Sequence, residues 1–76
     1  MKTKNRPVMF VLVTQRGHRP AVIEGIPDVG GAPTACEALM LLGHEGFRVT
    51  AQSCAYNVAQ GEMLRVWTLE RELELG

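Results

Sequence analysis

One stretch, Thr34 to Val49 (TACEALMLLGHEGFRV), constrains this chain more than any other, because it reads as a single helix with both ends marked. Thr34 followed three residues later by Glu37 is a capping box: the hydroxyl accepts an orphan backbone N–H and the carboxylate returns a bond. Pro33 and the Gly30-Gly31 pair before it cannot extend a helix backwards. At the far end, Gly46 suits the left-handed residue that closes a helix, which predicts an end near His44 or Glu45. Spacing the residues about 100° apart gathers Ala35, Ala38, Leu39 and Leu42 on one side, facing a core, with Glu37 and His44 opposite. Met40 and Leu41 fall on the flanks, towards water, where they can join a contact patch.

The helix exit also carries a resemblance. Leu39, Leu42, Gly43, Glu45, Gly46, Phe47 and Val49 resemble the hallmark of a small bacterial family, the domain of unknown function numbered 4177. Its members place a Leu-x-x-Leu-Gly-x-Glu-Gly-aromatic exit between an apolar first strand and a last strand ending in basic residues. Met9–Gln15 and the run Trp67-Thr68-Leu69-Glu70-Arg71 are similar in kind. The chain departs from the pattern at Phe47, where tryptophan is usual, and in its acidic tail. The resemblance implies a fold and brings no catalytic residue set with it.

Seventy-six residues make one domain, 1–76, with a flexible start at 1–6 and a tail that can fray at 72–76. A chain this short buries only about 60% of its surface on folding, so a partner subunit is a natural supplement to its core. The apolar share of 46% suits a globular protein. Eight basic residues balance eight acidic ones, whereas nucleic-acid binders carry a basic excess; nucleic acid is therefore not the expected partner. No apolar run nears the roughly 20 residues that span a bilayer, and the basic start Met1–Arg6 lacks a cleavage site after its short apolar run. Cys36 and Cys54 have no CxxC spacing and read as free, buried or half-buried thiols of a cytoplasmic protein. His18 and His44 are isolated, so neither a metal nor another cofactor is expected.

Strands surround the helix. Val8-Met9-Phe10-Val11-Leu12-Val13 is apolar without alternation, so both of its faces expect burial, although one helix covers only one face of a small sheet. Gln15–Arg19 reads as a hairpin turn with Gly17 at positive φ. A second strand, Ala21 to Ile26, is assigned to a sheet edge because of Pro20 and Gly25. Residues 27–33 read as a loop. Phe47 to Tyr56 alternates, and the set Phe47, Val49, Ala51, Ser53 and Ala55 is expected beneath the helix, where the small Ala51, Ser53 and Ala55 let the backbones approach closely. After a turn at Asn57–Gly61, a strand from Met63 to Arg71 places Leu64, Val66 and Thr68 on one face and Arg65, Trp67 and Leu69 on the other, with Arg65 and Trp67 expected on the outer side. The fold class is therefore α+β: a ββαββ chain forming a four-stranded antiparallel sheet with one helix on one face. In sequence numbering of those strands the order 4-3-1-2 keeps every neighbouring pair antiparallel, with a right-handed helical crossover between strands 2 and 3.

Catalysis needs a nucleophile with a base, paired carboxylates or a metal, and the scattered Glu24, Asp28, Glu37, Glu45 and Glu62 supply none of these; no enzyme is expected. Two surfaces are candidates instead. In the 4-3-1-2 order the helix start shares one end with the Asn57–Gly61 turn, so Arg6, Gly30, Gly31, Thr34, Asn57 and Gln60 would surround a small anionic, nucleotide-like ligand. Arg48, Tyr56, Arg65 and Trp67, residue types common at binding hot spots, would instead form an outer patch, with Met40 and Leu41 as a further contact. The expectation is a homo-oligomeric accessory protein, of phage type, that binds and inhibits another macromolecule; the alternative is an oligomer that sequesters the anion.

Overall fold

The computed structural model of the chain describes residues 8–26 and 29–73. Its elements run β1 (Val8–Arg16), β2 (Ala21–Glu24), β3 (Gly31–Ala32), α1 (Ala35–His44), β4 (Arg48–Asn57) and β5 (Glu62–Glu72). The class is α+β, with one helix on a five-stranded antiparallel sheet of order β3-β2-β1-β5-β4. The sequence reading anticipates four of these strands. The fifth, β3, lies in the segment read as loop, where Gly31 pairs with Val22 and Ala32 with Ala21. Glycine permits it, because a Cβ on Gly31 would strike the Ala21 carbonyl oxygen.

Helix α1 ends as its residues dictate. The Thr34 hydroxyl accepts the Glu37 N–H at 3.1 Å and donates to Glu37 Oε1 at 3.3 Å, so the carboxylate accepts from the cap's hydroxyl, whereas the expected capping box has it accept the backbone N–H. At the C-terminus, Phe47 N–H donates to Leu42 O and Gly46 N–H to Gly43 O, with Gly46 at φ +90°. These two bonds form a Schellman closure, and the apolar residue after the glycine, Phe47, is buried like Leu42. Ala35, Ala38 and Leu42 are buried and Leu39 is packed against them, the stripe that periodicity predicts. Met40 and Leu41 face water.

Strand β1 lies centrally, as its apolar run requires, but the strand beside it is β5 and not β4. The reason is burial. β5 offers Leu69, which is 1% exposed, and the half-buried Trp67, to lie beside Val11 and Val13. β4 offers alanine, serine and glutamine, which gain little from a central place, and all ten of its residues are exposed. The helix packs on β1, β2 and β3. With β3 present, the crossover joins β3 to β4, which run parallel at opposite edges. β2 runs antiparallel to β4 and has neighbours on both sides, which moves it off the edge.

Two facings also change. Leu69 is buried beneath the helix, so Trp67 and Arg65 share the helix side and Leu64, Val66 and Thr68 the outer side, the reverse of the expected arrangement. In β4, a bulge between Val49 and Ala51 shifts the register by one residue. Val49 stays opposite Leu69 on the helix side, whereas Ala51, Ser53 and Ala55 pair with Thr68, Val66 and Leu64 and turn outwards.

Candidate functional site

The helix covers one face of the sheet and leaves the other bare. Because side chains alternate along a strand and directly paired residues share a face, the register fixes what that bare face presents. Strand β1 contributes Val8, Phe10, Leu12 and Thr14; Val22 of β2 lies opposite Thr14 and Glu24 opposite Leu12. On the other side, β5 places Glu70 opposite Phe10, Thr68 opposite Leu12 and Val66 opposite Thr14. β4 completes the rows with Arg48 opposite Glu70, Ala51 opposite Thr68 and Ser53 opposite Val66. Phe10 is 59% exposed, Val22 47%, Leu12 39% and Val8 36%. The result is an apolar strip on the central strand β1 and its neighbour β2, flanked by Glu24, Glu70 and Arg48.

The doubly apolar run in β1 is the signal that points to this strip. Val22 carries no comparable signal, since its outward facing depends on the β1–β2 register. Of the hot-spot residues, only Arg48 belongs to the outer face. Tyr56, Arg65 and Trp67 lie on the helix side, where Gln52 pairs with Trp67, Cys54 with Arg65 and Tyr56 with Met63. Trp67 is held against the core and Tyr56 and Arg65 stay exposed on the part of the sheet beyond the helix. Met40 and Leu41 are exposed on the helix, away from the bare face; with Gly31, Ala32, Pro33, Glu37 and His44 they line a shallow depression of about 310 Å³.

The proposed anion site is not assembled. Gly30, Gly31 and Thr34 sit at the β3 edge, while Asn57 and Gln60 belong to the β4–β5 turn at the opposite edge. Asn57 is committed to that turn: its Oδ1 accepts the Gln60 N–H at 3.2 Å and its carbonyl the Gly61 N–H at 2.7 Å. The start of β1 pairs with Glu72, at the far end of β5 from the turn. Arg6 lies outside the described residues. The order 4-3-1-2, which brought these groups together, does not form.

Two further features escape the sequence. Arg71 stacks over the Phe47 ring at 4.7 Å from its centroid and donates to the Glu45 carbonyl at 2.7 Å, so a β5 side chain ties down the helix C-terminus. Beside it Met9, Ile26, Val29, Leu41, Leu42 and Phe47 line a cavity of about 360 Å³. Cys36 and Cys54 are free, as spacing predicts, but exposed rather than buried, because Cys36 points off the helix and β4 is uncovered. Among the described residues, no group of three or more His, Cys, Asp or Glu is placed to hold a metal ion. No described helix is long and apolar enough to cross a membrane. Comparison with protein-family models, curated proteins and solved structures gives no match.

Proposed function

We propose that the protein is a non-enzymatic, homo-oligomeric binding module that docks through its bare sheet face on another protein and thereby modulates it. The observation that carries this reading is the strip of Val8, Phe10, Leu12 and Val22 on the face opposite the helix, formed by the two strands with the best-buried inner faces. Large apolar side chains held in one row on a rigid sheet gain most when a second apolar surface removes them from water, at about 25 cal/mol per Å² buried. The flanking Glu24, Glu70 and Arg48 give that contact a polar rim and hence an orientation. The family resemblance implies a fold and no binding role; an inhibitory, phage-type role is the biological form this binding would take.

The test is the substitution Phe10→Lys, which places a charge in the middle of the strip at a side chain that is already more than half exposed. Protein purified gently from its source cell should carry a stoichiometric protein partner in native mass spectrometry. Phe10→Lys should lose that partner and keep the wild-type circular-dichroism spectrum. A variant that still holds the partner would remove the outer face from consideration.

A further inference from the structure

The two edges of the sheet are built differently. β3 is two residues long and is followed at once by Pro33, so it offers no length on which a partner strand could pair. β4 runs for ten residues, Arg48 to Asn57, with no proline and no acidic residue, and its single charge is its first residue. Among the described residues it pairs with β5 alone, so on its other side alternate backbone N–H and C=O groups face outwards. Natural edge strands are blunted by brevity, charge, proline or bulges. β4 has one such device, the bulge between Val49 and Ala51, and beyond it the register from Ala51 to Asn57 is unbroken.

We propose that the β4 edge pairs antiparallel with the β4 edge of a second copy of this chain, joining two five-stranded sheets into one across a two-fold axis near Ser53. The pattern of the strand selects this occupant. A two-fold axis perpendicular to the sheet keeps both helices on one face, so each residue must meet one of the same facing. With the axis at Ser53 this holds from Ala51 to Ala55, short of the bulge: Ala51 meets Ala55 of the second copy twice on the outer face, and Gln52 meets Cys54 on the helix face. All of these are small or uncharged, so the strands approach to the usual spacing of about 4.8 Å without a clash or a like-charge pair. The two Arg48 side chains fall at opposite ends, roughly 30 Å apart at strand rise. The pairing deepens the oligomeric part of the proposed function but uses an edge, whereas the docking strip uses a face. Two copies joined this way present their Phe10–Leu12 strips on one continuous outer surface.

The register gives the experiment its specificity. The double variant Ala51→Lys, Ala55→Lys sets lysine against lysine at both contacts, while Ala51→Lys, Ala55→Glu sets lysine against glutamate. Light scattering after size exclusion should give a two-chain mass for the wild type at micromolar concentration, a one-chain mass for the first variant and a two-chain mass for the second. A monomeric wild type, or a first variant that stays dimeric, overturns the proposal. Should the first variant lose its circular-dichroism spectrum, Ser53→Cys in a Cys36→Ser, Cys54→Ser background decides. Air oxidation should then link two chains through the axis, and absence of that link overturns the pairing. Phe10→Lys is run alongside: a dimer that keeps its foreign partner overturns the docking face alone, and a monomer that has lost it overturns the edge pairing alone.

Discussion

At the scale of single residues, Gly46 and Trp67 carry the most weight. Gly46 sits at φ +90°, where a side chain is strained in any case, and an added Cβ would lie 3.2 Å from Arg71 Cδ. Gly46→Val should therefore destabilise the fold by more than about 1 kcal/mol, read as a lower urea midpoint. An unchanged midpoint would mean that the Schellman closure contributes nothing. Trp67 is half-buried on the helix side, against the core. Trp67→Ala should cost about 2–3 kcal/mol, below the range for fully buried aromatic side chains because part of the ring is already wet. Unaltered stability would put the indole on the outer face, where strict alternation read from the sequence places it.

Among the elements, the helix is anchored by Leu42, which is 2% exposed and whose carbonyl accepts the closing N–H of Phe47. Leu42→Ala should destabilise by about 2–5 kcal/mol through transfer and cavity terms, measured by urea or thermal unfolding. Thr34→Ala should cost about 1 kcal/mol, because its hydroxyl caps the Glu37 N–H and donates to the Glu37 carboxylate. A loss near zero would show that another group serves the first turn. The helix was legible because capping and periodicity are local. Four of the five strands were legible as segments, but β4 and β5 were not legible in their facing: in β4 one bulge at Val49/Ala51 reverses the side chains that follow it, and no residue there announces an extra position.

For the whole molecule, stability should follow the order of the sheet. β1 is paired along both sides and β4 along one. In hydrogen exchange at concentrations where the protein is monomeric, amides of β1 should be the slowest and the outward amides of β4 among the fastest. Equal protection of both would mean that β4 is covered within a single chain. Docking through Phe10, Leu12 and Val22 is apolar, so the partner complex should survive about 1 M salt, where the Debye length falls to about 3 Å. Dissociation by salt would mark the flanking Glu24, Glu70 and Arg48 as the dominant contacts.

The sequence by itself determined the helix and its two ends, the positive φ of Gly17 and Gly46, the central place of Val8–Val13, and the α+β class. Each follows from a preference that acts within a few residues or from a run too apolar for an edge. Only the tertiary structure decided that β5 and not β4 lies beside β1, that Gly31–Ala32 forms a strand, and that Trp67 turns towards the helix. These outcomes depend on which pairing buries the most apolar surface across the whole sheet. That total is a property of all the strands together, and Leu69 wins its place beside Val11 only once every alternative neighbour has been compared.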